Sequence, residues 1–363
     1  MKLIVQPNDG AGPLLSAIRG AKKSLEIAIF RFDHKAIEAE LRAAAARGVK
    51  VNVLIASVNR GGVASLRKLE LRCLAAGLTV GRTNDDLVRY HDKFIIIDRR
   101  TLYVMSFNFT HLDIERSRGF GIVTRNALWL QEAIALFEAD CSRAKFRARS
   151  NRFVVSPCNA RTALGGFLRR ARKQLLIYDP KISDKEMLGI LRSRRKSNVE
   201  IRVIGQVAGS LESEVRELAP MRLHTRAIIR DRHQAFVGSQ SLRAPELDGR
   251  RELGLIIQDA GTVKKLVDTF ESDWKRSGEA TKTRDSEKKE SRRDDDSDVK
   301  DTAEILAEEL DPLTASLKRT VKRVVLGAGE EAFEEKEVKA TVKKVVKKAV
   351  KEAIHEVAQD TKV

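Results

Sequence analysis

Residues 91–108 and 224–241 are two copies of one plan, and any fold for this chain has to accommodate both. From His91, the residues Lys93, Asp98, Ser106 and Asn108 follow at offsets of two, seven, fifteen and seventeen. From His224, Arg226, Asp231, Ser239 and Ser241 follow at the same offsets. Strand alternation puts His91 and Lys93 on one face of an apolar run, so a nucleophile or acid stands beside a cation. A lone histidine in apolar surroundings is usually structural. Two copies matching at every one of these positions are hard to obtain by chance.

The chain around the motifs repeats as well. Strand patterns at Leu3–Val5, Leu25–Phe30 and Val49–Ile55 alternate with amphipathic stretches at 12–21 and 35–47. The same order returns at Phe153–Val155, Leu175–Tyr178 and Val199–Ile204, with helices near 161–173 and 185–194. Ala21-Lys22-Lys23 answers Ala171-Arg172-Lys173, and Val49, Val51 and Val53 answer Val199, Ile201 and Val203. Alternating strands and helices predict α/β layers, and the repetition predicts an internal duplication. The first half carries an additional helix, 62–76, before its motif. Its absence from the second half predicts an asymmetric cleft rim.

The paired motifs resemble the phospholipase D superfamily, in which HxKx4Dx6GSxN occurs twice per active site. This chain has Met105 for the first glycine, Arg226 for the second lysine and Ser241 for the second asparagine. The resemblance covers roughly residues 1–278. It implies two tandem phospholipase D-like α/β/α sandwich domains, 1–148 and 149–278, related by pseudo-twofold symmetry. It implies a phosphodiesterase needing neither metal nor cofactor, with His91, Lys93, Asp98, His224, Arg226 and Asp231 as its catalytic set, the two aspartates as mainly structural or orienting members for which a surface turn is the plain alternative. Ser106, Asn108, Ser239, Ser241 and Glu252 are expected to support or bind the phosphate. One imidazole would attack phosphorus to give a phosphohistidine while the other protonates the leaving alcohol. The motifs leave open which histidine attacks; resemblance to single-chain members favours His91. Glu252, at the position where the family has an acidic residue, is expected to orient His224. The corresponding residue of the first half is Gly119, so Asp113 or Glu115 is expected to serve His91.

Composition adds bounds on substrate and partner. A formal charge of +18 over 363 residues implies attraction to polyanions without choosing among them. A phospholipid diester is the first expectation. A nuclease or nucleic-acid end-processing enzyme is the second, and a catalytically weak anion-binding relative the third. With 5% aromatic residues, a nucleic-acid surface would rest on phosphate contacts. Residues 279–301 read as a charged linker. Within 302–363, Val338, Val342, Val345, Ala349 and Val350 recur among lysines as an amphipathic basic helix suited to an anionic membrane or nucleic acid. No stretch approaches the roughly 18 apolar residues of a membrane span. Cys73, Cys141 and Cys158 have no metal-ligand spacing and fit free thiols. The expected location is cytoplasmic, peripheral at a membrane, and two motifs in one chain let a monomer hold a complete site. His34, His111, His233 and His355 are expected as surface or capping residues.

Overall fold

The computed structural model describes residues 1–56, 62–84, 86–209, 211, 213–219 and 221–279. The expected tail at 302–363, with His355, and all of the linker but Glu279 lie outside the described residues.

The first half runs β1 (Lys2–Gln6), α1 (Gly12–Gly20), β2 (Ser24–Ile29), α2 (Lys35–Ala46), β3 (Lys50–Ile55), α3 (Gly62–Ala75), β4 (Thr79–Arg82), β5 (Arg89–Tyr90), β6 (Phe94–Ile97), β7 (Thr101–Met105), α4 (His111–Glu115), β8 (Ser117–Thr124) and α5 (Ala127–Ser142). The second half runs β9 (Phe153–Ser156), α6 (Ala160–Arg169), β10 (Gln174–Ile182), α7 (Lys185–Lys196), β11 (Glu200–Val207), β12 (Glu214–Glu217), β13 (Arg222–Leu223), β14 (Arg226–Arg230), β15 (Gln234–Gly238), a π-helical turn (Pro245–Gly249), β16 (Arg250–Ile257), α8 (Ala260–Arg276) and β17 (Gly278–Glu279).

The expected pair of α/β sandwiches is what forms. The first sheet has the order β1-β8-β7-β6-β2-β3-β4. In the second sheet, β9-β16-β15-β14-β10-β11-β12 occupy the matching places. No described residue forms a counterpart of α3 between β11 and β12. Phe94-Ile95-Ile96-Ile97 is apolar throughout because both faces of β6 are covered. Phe94 and Ile96 join the central core, while Ile95 and Ile97 join an outer core with Leu14 and Ile18 of α1 and Ile37 and Leu41 of α2. The central core draws on both halves, with Trp129 and Leu136 of α5 beside Leu266 and Phe270 of α8. Phe120 meets Tyr178 edge to face at 5.4 Å across the two halves. Burial of each such large side chain contributes about 1.5–3 kcal/mol, so the halves are fused through a shared interior. Both belong to one compact unit.

Asp98 and Asp231 each close a hairpin, and the structure keeps both away from the chemistry. They adopt positive φ of 52° and 51° after the last residues of β6 and β14, where aspartate tolerates the left-handed region. Asp98 accepts hydrogen bonds from the backbone N–H groups of Lys22, Lys23 and Ser24, the shortest 2.6 Å. Asp231 does the same for Arg172, Lys173 and Gln174, again with 2.6 Å as the shortest. At about 3.3 Å per residue, seven positions put each carboxylate roughly 20 Å along the chain from its histidine. The hydrogen bonds favour the turn alternative for both: they staple the start of one central strand to the end of its neighbour.

Burial would raise the Asp98 pKa, but the donors of Lys23, Ser24 and Lys22 outweigh it and hold the carboxyl below its usual range. A depressed folded pKa stabilises above the unfolded value near 3.9 and loses that contribution as pH falls through the folded value. Asp98→Ala and Asp231→Ala are each expected to lose about 2 kcal/mol in urea unfolding at pH 7, with kcat nearly unchanged. A large kcat loss with unchanged stability would contradict the staple role.

Candidate active site

Two very short strands exchange between the halves and thereby assemble the site. β5, just before His91, pairs in parallel with β16 of the second half, Tyr90 opposite Arg251. β13, just before His224, pairs in parallel with β8 of the first half, Leu223 opposite Arg118. The His91 N–H then donates to the Arg251 carbonyl at 2.7 Å, and the His224 N–H to the Arg118 carbonyl at 3.2 Å. Each histidine is therefore seated on the other half's sheet, one residue from the position that Glu252 or Gly119 occupies.

That exchange corrects the expected pairing of acids and imidazoles. Nδ1 of His91, not of His224, bonds to Glu252, at 2.9 Å and 3.0 Å to its two carboxylate oxygens. Glu252 is fully buried, and burial raises its pKa. Nδ1 of His224 lies 3.4 Å from Asp113 Oδ2, within reach of charge attraction but without hydrogen-bond geometry. Burial alone would raise the Asp113 pKa. His224, Arg222 and the two donors of Asn108 outweigh it and hold the carboxyl well below the usual range. Glu115 is not in the site; it bonds His111 instead. Gly119 leaves no room for a second acid, because even a Cβ there would stand 2.9 Å from the Phe107 ring.

The cations sit where the motifs predict. Lys93 is fully buried and its ammonium donates to the His91 carbonyl. Arg226 repeats the anchor, Nη1 donating to the His224 carbonyl at 3.1 Å while Nε donates to Ser241 Oγ at 3.2 Å. Arginine at this position thus reproduces the lysine's backbone anchor. Burial, and then the field of Arg226, lower the Lys93 pKa to about 7 against the pull of Glu252. Burial first, then Lys93 and Arg226, push the His91 pKa well down. Burial likewise lowers that of His224, with Asp113 opposing. Each imidazole side chain retains 10% exposure, a window consistent with approach by a phosphate.

The remaining predicted residues divide by function. Asn108 donates to Asp113 through both its backbone N–H and its side-chain amide at 2.8 Å, so it positions that acid. Ser106 donates to Thr225 Oγ1 at 3.1 Å and accepts from the Phe120 N–H at 2.9 Å, tying the two motifs together directly. Ser239 is spent on the Leu253 backbone, and the Ser241 N–H on Glu246 at 2.6 Å. These serines brace the site through the partners their hydroxyls hold. Met105 is fully buried in the outer core beside Gly121, so its bulk does not narrow the approach. Sequence reasoning missed Phe30, which packs edge-on against His91 at 4.9 Å with the Lys93 ammonium 5.9 Å from its ring. It also missed Glu246, although Glu246 stands as far from His224 as Asp113 does from His91, an offset legible in the chain.

A family model described as "Cardiolipin synthase, PLD-like domain" matches residues 14–141 and 165–274, more than half of the chain. The chain belongs to the phospholipase D superfamily. Mitochondrial cardiolipin hydrolase of Mus musculus is 29% identical over 129 residues, which cover 34% of this phospholipase D-like chain and 55% of the relative. The chain spans about half the length of the curated relatives it matches. Among solved structures, polyphosphate kinase from Porphyromonas gingivalis superposes with a TM-score of 0.64 at 19% identity, covering 75% of this chain and 50% of that one. Phosphatidylserine synthase from Haemophilus influenzae gives 0.56 at 11% identity, covering 76% and 85%. At these identities the two structures speak for the fold alone. Among the described residues no helix is long and apolar enough to cross a membrane.

The Glu252 contact makes a separate prediction. Glu252→Gln keeps the shape but removes the charge that fixes the His91 tautomer, as in other carboxylate-oriented imidazoles. A kcat loss on the order of a hundredfold or more is expected. An unchanged kcat would show that the pair is only structural.

Proposed function

We propose that this chain is a phosphodiesterase that hydrolyses, or transfers to an alcohol, the phosphodiester of a phospholipid through a phosphohistidine at His91. The supporting observation is the unequal treatment of the two imidazoles. Donation from Nδ1 of His91 to Glu252 leaves its Nε2 lone pair for phosphorus. Asp113, held ionised beside His224, favours a proton on that second ring. As the Nε2–P bond forms, the P–O bond to the alcohol breaks and the departing oxygen takes the His224 proton. His224 then removes a proton from water or an accepting alcohol, which displaces His91 from phosphorus. Lys93 and Arg226 offset the charge developing on the nonbridging oxygens. Two imidazoles and two cations fill every role, so the proposed reaction is metal-independent. A lipid substrate is favoured because the matched family and the curated relative both carry cardiolipin in their names.

Binding a phosphate brings negative charge against Lys93 and His224 and raises both pKa values, so proton uptake accompanies it. In the free enzyme kcat/KM is expected to fall as pH rises past about 7, where Lys93 gives up its charge. The deciding experiment incubates the full chain in EDTA with cardiolipin or phosphatidylglycerol vesicles, with added ethanol, and separately with single-stranded DNA. Phosphatidate or phosphatidylethanol from the lipid supports the proposal. Turnover of DNA alone would make the chain a nuclease, and inertness towards both would make it an anion-binding relative.

A further inference from the structure

Away from the catalytic pair, His34, His111 and Glu115 converge, although the sequence suggested only unrelated surface or capping roles for the two histidines. Their donor atoms all lie within 4.8 Å of one another. The rings of His34 and His111 stack at 4.3 Å and 22°. Glu115 Oε1 is 3.0 Å from His111 Nδ1 and 3.8 Å from His34 Nε2. His34 occupies the N-cap position of α2, yet its side chain makes no capping bond. It is buried to 5% exposure, and its Nδ1 has no partner. The other ring nitrogen, Nε2, faces the Glu115 carboxylate just beyond hydrogen-bond distance, so this buried imidazole is held by no hydrogen bond at either nitrogen and is free to ligate.

We propose that this trio binds a divalent transition-metal ion of the zinc class. Metal–ligand bonds of about 2.0–2.1 Å in tetrahedral geometry place donor atoms roughly 3.3 Å apart, so the trio, whose donors lie within 4.8 Å of one another, closes onto an ion by rotation of the exposed His111 and Glu115 side chains. Two imidazoles with one carboxylate suit zinc, cobalt or nickel and disfavour magnesium and calcium, which take oxygen ligands. Three protein ligands leave a fourth position for water, and the exposure of His111 and Glu115 opens that position to solvent. The platform is already held: the His34 N–H donates to the Phe109 carbonyl at 3.0 Å and the His111 N–H to Asp33 at 3.1 Å. The same short helix, α4, carries Asp113, so the ion clamps the helix that faces His224 onto the segment 31–34. It stands outside the catalytic pair, and the proposal does not depend on which diester is cleaved.

The test uses the full chain, stripped by chelator and returned to metal-free buffer, with Zn²⁺ titrated by calorimetry and Co²⁺ by visible absorption. Wild type is expected to bind one ion at this trio, Co²⁺ showing the ligand-field bands of a four-coordinate site. Loss of an outer-shell partner alone costs 10–100-fold in affinity, so His111→Ala and Glu115→Gln are each expected to weaken binding by at least about a hundredfold. Both positions are exposed, and melting curves verify that the variants fold. His233→Ala, elsewhere on the surface, is expected to leave the affinity unchanged. Zn²⁺ is expected to slow amide exchange across residues 108–116 in wild type and not in the two variants. No binding by wild type, or undiminished binding by both ligand variants, would overturn the site.

Discussion

His91→Ala is expected to lower turnover on the order of 10⁴-fold or more, the scale on which removal of a nucleophile is felt when the machinery acts as a unit. His224→Ala is expected to lose as much on a natural phospholipid, whose alkoxide leaving group needs a proton. The two variants separate on a chromogenic diester. A phenolate-type leaving group departs without an acid, so His224→Ala is expected to release one burst of chromophore. It then stalls as the phosphohistidine, because the base that activates water is missing. His91→Ala is expected to show neither burst nor acid-labile phosphate on the chain. Mass spectrometry of acid-avoiding digests after a short incubation reads the outcome. Phosphate trapped on His224 in the His91→Ala variant would reverse the assignment and with it the roles of Glu252 and Asp113.

Much of the architecture was legible because the chain says it twice. Strand patterns alternating with amphipathic stretches announced helices packed on sheets, and matched offsets announced two sandwiches built alike. The motif residues His91, Lys93, His224 and Arg226 do come together, with each cation anchored on its histidine's carbonyl. What it hid is the exchange. β5 and β13 are two residues each, too short to show a period, and their partners are far away in sequence. Reading each half as closed assigned Glu252 to the wrong imidazole, whereas the swapped strand carries His91 to it across 161 positions. Asp98 and Asp231 stayed open between an orienting role and a plain turn. They keep the motif spacing because each hairpin must end where its staple reaches the next strand, a structural demand that spacing cannot tell from a catalytic one.

The same exchange predicts the largest loss of stability. Arg118, 2% exposed at its side chain, donates to both oxygens of Asp273 at 2.7 Å and 2.8 Å, and its Nη1 donates to the Gln6 carbonyl at 2.6 Å. The Tyr178 hydroxyl donates to the same carboxylate at 2.7 Å. The Arg118 carbonyl in turn receives the His224 N–H, so one residue joins β8, α8 and the second motif. Arg118→Met leaves the buried Asp273 with only the half-exposed Arg276, 2.9 Å away, as counter-charge, and breaking the buried member of such a set costs on the order of 3 kcal/mol. That is a large share of the roughly 5–15 kcal/mol by which a native protein is stable. Combining Arg118→Met with Asp273→Leu removes both charges from the interior, and apolar replacement of a whole buried pair is often neutral. Urea unfolding is therefore expected to show a steep loss for the single variant and recovery of most of it in the double. If the single variant loses less than about 1 kcal/mol at unchanged m-value, the buried pair is not what fastens the exchanged strand. If the double variant recovers stability while kcat stays low, the arginine also sets the position of His224.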